Sequence, residues 1–133
     1  MAGEVMATAA RIDLERVYGA TERGNGARVL VDRVWPRGVR KESLGLDLWL
    51  RELGPSNELR KWFGHQPERW EEFRRRYKTE LRGQRQQELL DQLAELAQKG
   101  PVTLLYGARD EQRNQAVVLR EVLQERLRER AQG

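Results

Sequence analysis

The chain has 133 residues, enough for one domain with its own core and too few for two ordinary ones. It contains no cysteine, which excludes disulfides, thiolate metal sites and cysteine nucleophiles. Lys and Arg number 25 against 21 Asp and Glu, a net charge of +4 carried mostly by arginine. That balance is mild for a dedicated nucleic-acid binder, while the arginine fork suits carboxylate and phosphate. No apolar run approaches the length of a membrane span and no signal peptide opens the chain, so a cytoplasmic protein is expected.

Residues 1–11 show no periodic pattern and are expected to fray. LERVYG (14–19) is a short strand candidate. TERGNGA (21–27) carries two glycines and an asparagine and reads as a turn. Because it precedes a strand rather than a helix, it is a weak phosphate loop. RVLVDRVW (28–35) is the best strand of the first half, with Val29, Leu30, Val31 and Val34 apolar and mostly β-branched. The two strands either pair as a hairpin or lie apart in one sheet.

Pro36 stops the second strand and Gly38 permits a sharp turn. Leu46, Trp49, Leu50 and Leu53 then fall at i, i+3, i+4 and i+7, the spacing of one helical face. Gly54-Pro55-Ser56 ends that helix and caps the next, whose apolar face is Leu59, Trp62 and Phe63 and whose stop is Gly64. Pro67 suits the first turn of a helix with Trp70, Phe73, Tyr77 and Leu81 in one stripe. A further helix over about 84–98 turns Leu89, Leu93 and Leu96 inward and ends at Gly100-Pro101. VTLLYGA (102–108) is the second strong buried strand. The last helix starts near 112–115 and is expected to fray over 125–133.

The order strand, strand, helices, strand, helix predicts a single small α/β domain over 1–133, a short, mostly parallel sheet covered by about five helices. The near-continuous apolar runs at 28–34 and 102–106 are the pattern of parallel strands buried on both faces. Both lead into polar loops, and in such sheets ligands gather beyond the carboxyl ends of the strands.

In the first loop, Arg33 and Arg37, with Lys41 one turn on, suit an oxyanion through charge-assisted fork bonds. Trp35 could stack on a planar ligand. The competing reading closes the loop with a salt bridge from Asp32 to an arginine and puts Trp35 in the core. In the second loop, Tyr106 and Arg109 would line the same cleft, with Asn114 and the amides of the last helix beside them. Here the competing reading has Asp110 capping the helix and Arg109 paired with an acid. His65, the single histidine, and Asp32 are the candidate proton carriers. One histidine without cysteine supplies no preferred zinc set, so no metal site is assigned, and no motif names a cofactor.

RWEEFRRRYK (69–78) interleaves aromatics with arginines and raises nucleic-acid binding through the helix at 67–82. Its aromatics fall on one helical face, as core residues do. Its arginines stand near Glu71, Glu72 and Glu80.

RVLVDRVWPRG, ELRKWFGH and VTLLY, in that order, resemble the YeaO-like family, also called domain of unknown function 488. The likeness runs from Arg16 to Leu123. Asp32, Arg33, Trp35, Pro36, Arg37 and Gly38 match its central motif, as do Lys41, Asp47 and Trp49 downstream. The resemblance implies a small α/β domain and supplies no activity. Relatives commonly read Gly-His-Asp-Pro where this chain has Gly64-His65-Gln66-Pro67, and Asn-His-Ala where it has Asn114-Gln115-Ala116. Gln115 can hydrogen bond but cannot exchange protons at neutral pH, which leaves His65 as the histidine candidate.

The expected function is an anion-accepting cleft for phosphate or carboxylate, open to an enzyme acting on a phosphorylated or nucleotide-like small molecule. The alternatives are a nucleic-acid binder using helix 67–82 and an interaction module without chemistry.

Overall fold

The computed structural model describes residues 10–19 and 26–132. Most of the glycine-rich turn and the N-terminal segment expected to fray lie outside the described residues.

Four parallel strands form one sheet in the order β1-β4-β2-β3, with β1 at Ile12–Arg16, β2 at Ala27–Leu30, β3 at Leu48–Trp49 and β4 at Val102–Tyr106. The hairpin alternative fails because β4 lies between β1 and β2, pairing Ile12 with Val102 on one side and Val29 with Leu104 on the other. The expected parallel sheet is observed, and β2 and β4 are direct neighbours in it. β1 begins two residues earlier than its apolar pattern indicates.

The two central strands are apolar at consecutive positions because each face is covered. Val29, Val31, Leu104 and Tyr106 enter the larger core, whereas Leu30 and Leu105 enter a smaller one with Val17 and Leu44. The larger core is roofed by α2 (Asn57–Phe63), α3 (Trp70–Glu80), α4 (Gln84–Lys99) and α5 (Gln115–Gln132). The smaller is closed by α1 (Lys41–Leu44) and by Trp35, Val39, Leu46 and Trp49.

The helix read over 46–53 does not exist. α1 stops at Leu44 because Gly45 takes a left-handed conformation, φ 59°. Asp47 then zips the chain onto β2: its N–H donates to the Arg28 carbonyl at 2.9 Å, and its carboxylate accepts the Arg28 N–H at 2.8 Å. Leu48 and Trp49 become an edge strand, and Arg51–Leu53 a 3-10 turn. The helical spacing misleads because Leu46 and Trp49 pack in the smaller core, Leu50 and Leu53 in the larger. The segment passes between two layers, where spacing on one face has no meaning.

The same corner holds a buried ion pair. The Arg28 guanidinium, on a residue only 5% exposed, meets Glu15 at 2.9 Å and donates to the Leu44 carbonyl at 2.9 Å. A buried cation needs such partners, and removing one of them costs about 3–5 kcal/mol.

The remaining helices follow their patterns. Ser56 caps α2 by accepting the Leu59 N–H at 3.1 Å, and Gly64 ends it. Pro67 opens a 3-10 turn, Pro67–Arg69, that leads into α3. Phe73 and Tyr77 are buried there, and the Tyr77 hydroxyl donates to the Leu53 carbonyl. α5 continues to Gln132, through residues expected to fray. Arg126 and Arg130 on its last turns pair with Asp91 of α4 at 2.6 and 3.1 Å.

Candidate functional site

A cleft of about 480 Å³ opens beyond the carboxyl ends of β2 and β4, within the size range of small-molecule sites. The loop after β2 supplies Asp32, Arg33, Val34, Trp35, Pro36 and Arg37. The loop after β4 and the start of α5 supply Gly107, Ala108, Arg113, Asn114 and Gln115. α2 and the residues after it add Arg60, Phe63 and His65, while Tyr18 stands at the mouth.

Asp32 joins the two loops. One carboxylate oxygen accepts the Gly107 N–H at 2.9 Å and the other accepts the Gln115 side-chain amide. A side chain at 107 would collide with it, since a Cβ there would lie 2.8 Å from Oδ2. Glycine is therefore required by the close approach of the loop to the carboxylate. Burial pushes the Asp32 pKa up to about 6, against the opposing pull of the Gly107 and Gln115 bonds and the positive charge of Arg60. A carboxyl tuned to that range changes charge close to neutrality.

Arg33 does not pair with Asp32. Its guanidinium donates to the Pro55 and Gly54 carbonyls, each at 2.9 Å, and so fastens the β2 loop to the turn before α2. Arg37 is exposed, and among the described residues its side chain has no hydrogen-bond partner. Its backbone carbonyl receives the Tyr18 hydroxyl at 2.7 Å. Arg60 leans on the Asn57 side chain at 2.7 Å, and Arg113 on Asp110 at 3.3 Å. Four guanidiniums thus line a cleft whose lining includes one acid.

Trp35 serves both readings of the sequence. It lines the cleft, yet its indole donates to the Val39 carbonyl at 2.8 Å and its ring meets Trp49 edge-on at 5.3 Å. His65 is exposed at the rim, its backbone at φ 58°, a conformation uncommon outside glycine. Asn114 is 2% exposed and caps α5, its side-chain oxygen accepting the Val117 N–H at 3.2 Å. Asp110, the expected cap, instead holds the preceding turn through the Gln112 and Arg113 N–H groups at 2.9 and 3.1 Å.

The structure therefore brings Asp32, Arg33, Trp35, Arg37, His65 and Asn114 to one cleft and leaves three expected residues elsewhere. Tyr106 is buried in the larger core, where burial raises its pKa. Arg109 is exposed and outside the cleft walls, because the Asp110 turn directs Arg113 inward instead. Lys41 begins α1 and is not among the residues that line the cleft. Arg60, Arg113 and Gly107 were not read from the sequence as site residues. Arg60 stands three residues before Phe63 on one helical face, and that spacing was the available signal.

The arginines of α3 are occupied. Arg74 meets Glu121 at 2.7 Å, and Glu72 receives Arg75 at 2.5 Å and Arg76 at 2.7 Å. These two hydrogen bonds hold the Glu72 pKa down to about 2.

The family model described as the inactive DUF488-N3 subclade matches residues 11–133. The chain belongs to the YeaO-like DUF488 family. It is 46% identical over 108 residues to the uncharacterised protein YeaO of Escherichia coli K12, covering 81% of this chain and 92% of that protein. It is 40% identical over 113 residues to Mb3100c of Mycobacterium bovis and to Rv3073c of Mycobacterium tuberculosis, both uncharacterised by name, covering 85% of this chain and 93% of each relative. No solved structure matches. Among the described residues, no helix of this DUF488 chain is long and apolar enough to cross a membrane.

Proposed function

We propose that this protein binds a small oxyanion, phosphate or carboxylate, in the cleft between the β2 and β4 loops, and holds it rather than transforming it. The observation that carries the reading is the convergence of Arg33, Arg37, Arg60 and Arg113 on a cavity where, among the described residues, Asp32 is the single carboxyl in the lining. Guanidinium forks bind oxyanions with the strongest class of hydrogen bond. Arg37 is poised for the role, since among the described residues nothing uses its guanidinium. The amides opening α5 add a favourable field for negative charge.

Binding without turnover is supported by two features. The matching subclade is described as inactive. The side chain bonded to Asp32 is Gln115, an amide that can orient the carboxylate but cannot carry its proton.

The test is thermal unfolding against phosphates, sugar phosphates, nucleotides, carboxylates and short oligonucleotides, at low and high salt. A ligand that binds the folded state raises the midpoint. The reading expects a rise with small phosphates or carboxylates that survives moderate salt and disappears in Arg37→Ala. No rise, or a rise confined to oligonucleotides and lost in salt, would overturn it.

A further inference from the structure

The four arginines alone would accept almost any phosphate, but Asp32 changes what the cleft rewards. At neutral pH its carboxylate is an acceptor only. Each of its oxygens already receives one hydrogen bond, from Gly107 or from Gln115, and keeps lone-pair capacity for another. Those two bonds, with the close approach of Gly107, fix the carboxylate so that it cannot swing away from a ligand. A bare oxyanion in this cleft gains the arginines but meets that carboxylate as a like charge. An anion with a donor at its other end gains both.

The mouth of the cleft adds a second requirement. Among the described residues, Tyr18 and Val34 are the two exposed large hydrophobic side chains, at 37% and 51% exposure, and both line this cleft. Pro36 and Pro55 line it as well. Apolar surface left open beside a charged cavity favours a ligand with a flat apolar body. The cavity volume of about 480 Å³ leaves room for such a body beyond the anionic group.

We propose that the cleft selects aromatic oxyanions that carry a hydrogen-bond donor, the chemistry of a nucleoside monophosphate, with Asp32 receiving the donor. This rests on the anion-binding reading above and goes further by naming what must be attached to the anion. Asp32 is the specificity residue, and the arginines supply affinity without choosing among phosphates.

The experiment is calorimetric titration of the full chain at pH 7.5 and low salt with adenosine 5′-monophosphate, phenyl phosphate and inorganic phosphate. Phenyl phosphate keeps the ring and the dianion but offers no donor. The expected result is adenosine monophosphate binding at least about tenfold tighter than phenyl phosphate, as one charge-assisted hydrogen bond provides. In Asp32→Asn, that preference falls to within about threefold while phenyl phosphate binds as well as before or better, because a negative charge has gone. Equal binding of the two organic phosphates by the wild-type chain would overturn the proposal, whatever the variant does. A preference that persists in a folded Asp32→Asn would overturn it too. Failure of the underlying reading looks different: none of the three phosphates binds, or Arg37→Ala binds them unchanged.

Discussion

Arg74, Arg75 and Arg76 on α3 and Arg33, Arg37, Arg60 and Arg113 around the cleft are the same side chain in opposite situations. On α3 the acids come with the arginines: Glu72 stands three and four residues before Arg75 and Arg76, and Glu121 of α5 reaches Arg74. In the cleft the arginines come from separate elements. One is spent on carbonyl oxygens, one on an amide, one on a longer contact to Asp110, and one, among the described residues, on nothing. Arginine density in the sequence therefore does not locate a binding surface. The distance to the nearest acid does, and only part of that distance is helical spacing.

The largest effect expected from this contrast is in the two carboxyls. The folded chain holds the Asp32 proton up to about pH 6, while the unfolded chain releases it near 3.8. Stability contributed by Asp32 therefore falls as pH rises through that window, by about 3 kcal/mol. Glu72 runs the other way, its contribution being lost as pH falls toward about 2, and that contribution is small because solvent screens the pair. Urea titrations of the wild-type chain and Asp32→Asn from pH 4 to 7 should diverge, with the variant gaining relative stability as pH rises. Parallel curves would show that Asp32 is not a buried, strained acid.

The next effect separates the cleft arginines from one another. Arg33→Ala loses two carbonyl bonds and should destabilise the fold by about 2 kcal/mol. Arg37→Ala should change stability by less than about 0.5 kcal/mol, because among the described residues no contact uses its exposed guanidinium. If the two variants unfold at the same denaturant concentration, Arg33 is not the fastener of the loop. Gly107→Ala should cost about 1–3 kcal/mol, since its Cβ would press on the Asp32 carboxylate. The smallest effect is Arg75→Ala, which loses a solvent-screened pair on α3 and should leave both the unfolding midpoint and anion affinity essentially unchanged.

Much of the fold was legible because it obeys local rules. β2 and β4 announce themselves by consecutive apolar residues, and α2 to α4 by stripes at helical spacing with Ser56, Gly64 and Gly100-Pro101 at their ends. The segment from 41 to 53 was not legible. Its apolar residues serve two cores on opposite sides of the sheet, and its strand is fixed by Asp47 bonding to Arg28 across nineteen residues of sequence. In the site, the β2 loop was readable from its own Pro, Gly and charge. Arg113 rather than Arg109 was not, because the choice is made by the Asp110 turn. Arg60 arrives only when α2 packs beside the loop that Arg33 fastens.

The most direct measurement is a nuclear magnetic resonance titration of the isotopically labelled chain with adenosine 5′-monophosphate, following backbone amides and arginine side chains. The account predicts shifts concentrated at Gly107, Gln115 and the guanidiniums of Arg37, Arg60 and Arg113, with Arg74, Arg75 and Arg76 unmoved. Shifts centred on α3, with the two loops silent, would contradict it.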